Sequence, residues 1–286
     1  YKSTDDTKFI LQVCAQNYPH LNVVQMSDDV NMFQGRKFPL SVGIRSAKND
    51  IVVLTEPECR PVGFNWLRSM SHGYTGADKK IVLGYCAPRK EKGFLNLLQQ
   101  YESLVFSAQY LGAAMMGRPY TATGNNLSYR RKFFFAQGAF TSHYTEEYGA
   151  DDLFVNQNAT SKNTSVCFDE DARVEVDPKK SFGQWHLQRK HRVRTYRLHS
   201  WAERLSRLMS PLSVLLFYCA LLLLVLKGFP WYILVGVLLL KFVWQIVTFA
   251  QLGKQFGVKH ICWFSPLLEI YFIVADTILS ISALKK

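Results

Sequence analysis

The hydrophobic pattern divides the chain near residue 207. Before it, short apolar runs alternate with stretches of helical periodicity; after it, residues 208–284 are mostly apolar. In the first part the pattern predicts a helix over 6–17, a short strand at 21–26 (LNVVQM), and a helix over 35–48 with Leu40, Ile44 and Ala47 on one face. Residues 51–55 (IVVLT) form a continuous apolar run of the buried parallel-strand type. A helix is expected at 64–71, with Trp66, Leu67 and Met70 apolar, then a strand at 80–85 and a long helix at about 93–115. GNNLSYRRKFFF (124–135) reads as a loop entering a strand or a helix, 151–160 as a helix, and 165–176 as strands. Alternating strands and helices predict an α/β domain with a mostly parallel sheet.

The second part predicts membrane. A helix over 182–208 carries Trp185, Leu198, Trp201 and Leu205 among many cations, as a helix in a bilayer interface does. Residues 209–226 hold no charge and are long enough to span; 231–250 span with one internal cation, Lys241. The stretch 262–284 is weaker, because Glu269 and Asp276 lie on one helical face, and acids there must meet protein or water. Lys241 is expected to pair with one of them. Trp231 and Trp263 sit at segment ends, as aromatic belts do. The organisation expected is a domain over 1–178, a basic amphipathic helix over 179–207, and a helical membrane region over 208–286 with two to three transmembrane helices.

Charge sharpens this picture. The net charge is +12, and much of the excess precedes the first apolar segment. Cations in that place are the positive-inside signature, which argues against nucleic acid as partner and puts the head in the cytoplasm. The six cysteines show no CxxC or Cys/His zinc spacing, in keeping with a reducing compartment. The opening, YKSTDDTKFILQVCAQ, lacks a Met, a signal peptide and a preceding strand, and reads as a chain cut within a domain.

Four groups carry candidate chemistry. Glu56 and Glu58 flank Pro57 at the end of the 51–55 run, where paired carboxylates suit a hard divalent cation; an exposed acidic turn is the competing reading. Asp151 and Asp152 open a helix, either as a general base or as an N-cap and first-turn acid. Asn126, Tyr129, Arg130 and Arg131 follow a Gly-Asn turn that lets backbone approach a ligand, against the alternative of a surface turn. Gln188, Arg189 and His191 lie in the cationic helix, where they serve either a diphosphate or lipid headgroups.

With these residues in place, the chain resembles the family 2 glycosyltransferases, inverting enzymes of GT-A fold, in their bacterial membrane-anchored branch. The matching segments are IVVLTEPECRPVGFNWLRSM, GNNLSYRRKFFF, GADDLFVNQ, SFGQWHLQRKHR and FSPLLEIY, in the family's order. STDDT resembles the end of the family's nucleotide-binding turn, and Tyr1 stands about where that turn often has an Asp. The resemblance implies a GT-A-like α/β fold and a nucleotide-sugar donor, UDP-linked by expectation. It also implies Mg²⁺ or Mn²⁺ held by Glu56 and Glu58, and a lipid-linked or glycan acceptor beside the bilayer. Asp151, with Asp152, would serve as base; Asn126, Tyr129, Arg130, Gln188, Arg189 and His191 would bind donor or acceptor. Cell-envelope polysaccharide synthesis at the inner membrane is the implied setting. Three departures stand out: Glu-Pro-Glu replaces Asp-x-Asp, Ala150 falls in the usual base position, and the Gln-x-x-Arg-Trp element lacks its Trp, with Trp185 upstream. They leave a second expectation, a degenerate homologue acting as a binding or scaffold subunit.

Overall fold

The computed structural model describes residue 3, residues 5–26 and residues 35–284. The expectation for Tyr1 lies outside these residues.

Two sheets form the centre. The larger has the order β1 (Ile51–Leu54), β5 (Leu127–Arg130), β3 (Ile81–Gly84), β6 (Thr164–Cys167). The smaller has the order β2 (Cys59–Pro61), β7 (Val174–Val176), β4 (Cys86–Pro88). In the larger sheet β3 and β6 are parallel, but β5 runs antiparallel to both β1 and β3. The mostly parallel expectation is therefore corrected: three strands share a direction, yet two of the three pairings are antiparallel. Strand β1 is half-buried throughout and lies at the sheet's edge, whereas Ile81, Val82 and Leu83 of β3 are fully buried at its centre. Residues 21–26 are coil rather than the predicted strand.

Helices alternate with these strands along the chain. They are α1 (Thr7–Asn17), α2 (Lys37–Ser46), α3 (Trp66–His72), the long α4 (Phe94–Met115), the short α5 (Arg131–Ala136) and α6 (Asp152–Asn158). One core joins Leu98, Leu104 and Leu111 of α4 to Leu127 and Tyr129 of β5, Phe134 of α5 and Phe154 of α6. Tyr129 stacks on Phe134 with centroids 5.1 Å apart, and both lie against Phe154.

The single helix predicted over 182–208 is two. Helix α7 (Phe182–Tyr196) ends before a turn, and Ser200 starts α8 (Trp201–Leu226) with a capping box: Glu203 N–H donates to Ser200 Oγ, and Ser200 N–H to the Glu203 carboxylate. Helix α9 (Trp231–Phe256) returns, and α10 (Ser265–Leu284) follows a tight 3₁₀ turn, Lys259–Phe264. Among the described helices α8 and α9 are long and apolar enough to cross a membrane. Helix α10 behaves differently: Leu268 and Phe272 enter the core against α4 and α7, and Phe272 stacks on Tyr101 at 5.2 Å. Its two acids are both paired. Lys241 donates to Glu269, to Tyr218 Oη at 3.0 Å and to Gln245 Oε1 at 3.1 Å, a cluster that ties α8, α9 and α10 together. Asp276 meets Arg189 of α7.

Candidate functional site

The predicted acids converge at one end of the larger sheet. Glu56 leaves β1 and faces the Arg36 guanidinium, which also stands 3.7 Å from Asp151. Asp151 accepts from the backbone N–H of Gly124. Asp151 stands at the N-cap position of α6 and Asp152 is the acid in its first turn, but the Asp151 side chain makes no capping hydrogen bond. Ala150 faces the opposite way, 4% exposed, into the hydrophobic core. The direction is set by Gly149, whose φ of 85° excludes most side chains and whose missing Cβ leaves room for Leu153. The two neighbours thus divide the roles: Ala150 packs, and the Asp151 carboxylate turns to Gly124 N–H and Arg36.

Asp152 is buried. It accepts from Thr121 Oγ1 at 2.5 Å, Thr195 Oγ1 at 2.6 Å and His199 Nε2 at 2.8 Å. Burial alone would push its carboxyl up, but the His199 contact and the two hydroxyls outweigh it and hold the group below the usual carboxylate range. Enclosed in this way, Asp152 is a brace between α6 and the segment entering α8, away from any acceptor. Its expected share in the base is corrected to a positioning role.

Glu58 is half-exposed, with Lys179 Nζ at 4.0 Å, and its backbone carbonyl accepts from Asp177 N–H. Among the described residues no group of three His, Cys, Asp or Glu is assembled that could hold a metal ion.

Between the 123–125 turn and residues 176–179 opens a cavity of about 80 Å³. Its wall includes Thr123 and Asn125 beside the Asp151 contact, Asp177 and Lys179 beside Glu58, and one face of α4 carrying Gln99, Glu102, Ser103 and Ser107. From α7 come Trp185, Gln188 and Arg192. Glu102 organises this wall: Trp185 Nε1–H donates to it at 2.7 Å, and Arg189 and Arg192 each pair with it at 3.3 Å. Amides, hydroxyls and carboxylates next to indole and phenyl faces suit a polyhydroxylated ligand.

The remaining predicted ligands are placed elsewhere. Asn126 is 1% exposed; its amide donates to the Tyr85 and Ala172 carbonyls at 2.8 and 2.7 Å and accepts from Trp66 Nε1 at 3.1 Å. It ties the two sheets together and does not line the cavity. Tyr129 is fully buried in the aromatic core. Arg130 pairs with Asp50 at 3.1 Å and lies over Tyr74 at the opposite end of β5. Arg189 is 4% exposed at its side chain, between Glu102 and Asp276 and against the rings of Trp185 and Phe272. Two carboxylates and two rings enclose this guanidinium, with Nη1 buried and without a hydrogen-bond partner among the described residues, and it does not line the cavity. Gln188 does line the cavity. His191 stacks on Tyr148 at 3.8 Å and so braces α7 against the loop that leads to Asp151; burial holds its imidazole below the usual range.

Three residues of this region were missed in the sequence: Arg36, Lys37 and Glu102. Gly35-Arg36-Lys37 directly before a helix was the signal available, a glycine with two cations. Glu102 gave none, being one acid on a long helix.

No family model matches this chain, and no curated protein sequence does. Among solved structures, it is similar to the mannosyltransferase PcManGT from Pyrobaculum calidifontis in complex with GDP-Man and Mn²⁺. The TM-score is 0.52 at 16% identity, over 96% of this chain and 76% of that one. At this identity the likeness establishes a shared glycosyltransferase fold.

Proposed function

We propose that this chain is a membrane-anchored glycosyltransferase that moves a sugar, with inversion, from a nucleoside-diphosphate donor to a lipid-linked or glycan acceptor. The observation that carries the reading is the convergence of Glu56 and Asp151 on Arg36, beside the 123–125 turn that walls a polar cavity. An inverting transfer needs a carboxylate that takes the acceptor's hydroxyl proton as that oxygen attacks the anomeric carbon. Asp151 is placed for it beside Glu56: its carboxylate accepts from Gly124 N–H and stands 3.7 Å from the same Arg36 guanidinium. The cavity would receive the acceptor, with Gln188 and Asn125 donating to its hydroxyls and Trp185 offering an apolar face.

The similar solved mannosyltransferase holds GDP-Man and Mn²⁺, and the resemblance in the motifs points to a UDP-sugar. Both fit a nucleotide diphosphate as the common element. Glu56 and Glu58 fit a divalent cation in donor type and number, because Mg²⁺ is commonly held by one or two carboxylates with phosphate oxygens and water completing its shell. A cation held there would neutralise the charge that builds on the leaving diphosphate. Lys179 beside Glu58 would add a second positive charge on that side.

Helices α8 and α9 would anchor the protein in the bilayer, with the cations before α8 keeping the head on the cytoplasmic side. The three-part organisation over 1–178, 179–207 and 208–286 follows from this reading, with α10 folded back on the head. The test is donor binding by calorimetry on the full chain in detergent, with UDP- and GDP-sugars and Mn²⁺. Saturable, Mn²⁺-dependent binding of one of them is the expected result; no binding of any member would overturn the assignment.

A further inference from the structure

The acids assigned above to metal and base share one partner. Arg36 contacts Glu56 and stands 3.7 Å from Asp151, with its own side chain half-exposed. Its backbone is fixed on both sides. Lys37 is 2% exposed and donates through Nζ to the His143 and Glu146 carbonyls at 2.6 and 2.7 Å. Gly35, at φ 98°, lies so close to the Glu147 carbonyl that a Cβ would stand 2.4 Å from its oxygen. The Gly35–Lys37 turn is thus seated on the 143–147 loop, which runs straight into Gly149-Ala150-Asp151. From this turn the half-exposed Arg36 side chain reaches to the two acids.

Two carboxylates facing one guanidinium leave a net charge of −1, and the guanidinium stands against the carboxylate that a divalent cation would use. A carboxylate cannot serve both cations at full strength, because each draws on the same oxygen lone pairs. The structure points to a competition. We propose that Arg36 is an internal counter-cation of the donor site, and that it must leave Glu56 before a divalent cation binds there. Its departure frees the Asp151 carboxylate in the same movement, so that donor–metal entry and release of the base are coupled through one side chain. This rests on the metal and base roles given above to Glu56 and Asp151.

The test measures Mn²⁺ binding directly, by the loss of the free-ion paramagnetic resonance signal, on the full chain in detergent without donor. Wild type, Arg36→Gln, Arg36→Lys and Arg36→Gln/Glu56→Gln are compared. Removing a half-exposed ion pair from a ligand should tighten Mn²⁺ binding about threefold to tenfold in Arg36→Gln. Arg36→Lys, which keeps the charge but lacks the fork to bridge two acids, should fall between. The double variant should lose the gain. A merely structural arginine predicts equal or weaker Mn²⁺ binding in Arg36→Gln, and that result overturns the proposal while leaving the metal assignment intact. If no variant binds Mn²⁺, the metal assignment and the proposal fall together.

Discussion

His199 Nε2 donates to Asp152 Oδ1 at 2.8 Å, with both residues buried, and so joins the start of the cleft helix α6 to the turn from which α8 departs. A second link runs beside it: Asn156 of α6 donates to the Glu203 carboxylate of α8 at 2.7 Å. The segment bearing Asp151 is therefore held by the entrance to the apolar helices.

This link predicts a pH effect of definite sign. Asp152 has its folded pKa held below the ordinary value, so its contribution is fully present above the unfolded pKa of about 3.9 and is lost as pH falls through the lower folded value. His199→Ala should lower stability by about 3–5 kcal/mol at neutral pH, the cost of stranding a buried charge. Asp152→Asn should flatten the acid limb of the stability profile. Thermal unfolding from pH 7 down to pH 3 reads both; an unchanged acid limb in Asp152→Asn contradicts the assignment.

Ala150 and Asp151 make opposite predictions. Placing Asp at 150 puts a carboxylate into the hydrophobic core, so Ala150→Asp should cost several kcal/mol and bring no gain in transfer. Asp151→Asn, in the cleft, should leave the fold intact and donor affinity nearly unchanged. Its transfer rate should fall by about 10²–10⁴, the usual share of a general base. Melting temperature, donor affinity and transfer rate, measured together on the two variants, separate the roles.

The docking of α10 gives a third expectation. Arg189 lies under Trp185 and Phe272 and pairs with Asp276, which is itself half-exposed. Asp276→Ala should cost about 1–2 kcal/mol, between the values for exposed and buried pairs. Phe272→Ala should cost about 3–5 kcal/mol, because it empties a core position. Protease cleavage within α10 should accelerate in both variants and more in the second. Equal protection in all three proteins would show that α10 is not held by this face.

Topology is the fourth. Cysteines introduced in the head, such as at the exposed Lys162, should label from the cytoplasmic side of sealed vesicles, and Lys227→Cys from the other. Labelling of the head from the outer side would reverse the orientation.

Much of the architecture was legible because it depends on local pattern. The apolar run at 51–54, the buried strand at 81–84, the long helix at 94–115 and the two apolar helices stand within a few residues of where periodicity puts them. What sequence could not show depends on partner choice. An apolar run does not encode strand direction, so β5 was not seen to lie antiparallel between β1 and β3. The strands β2, β4 and β7 have three residues each, too few for a period. Of the four predicted acids, Glu56 and Asp151 are brought together around Arg36, while Asp152 is enclosed by Thr121, Thr195 and His199. Arg189 read as a diphosphate ligand until Glu102 and Asp276 claimed it, and Arg36 drew no reading at all. The polar residue Asn126 misled for a related reason: a buried amide that satisfies two carbonyls looks, in sequence, like one that awaits a ligand.

The most direct test of the account is sugar transfer by membrane vesicles that contain the full chain. They would be supplied with labelled UDP- and GDP-sugars and Mn²⁺, and followed by nucleoside-diphosphate release and by label in lipid or glycan extracts. The account predicts that one donor is consumed with stoichiometric transfer, and that Glu58→Gln and Asp151→Asn, though folded, lose it. Donor binding without turnover in the wild-type protein, or turnover that survives Asp151→Asn, would contradict it.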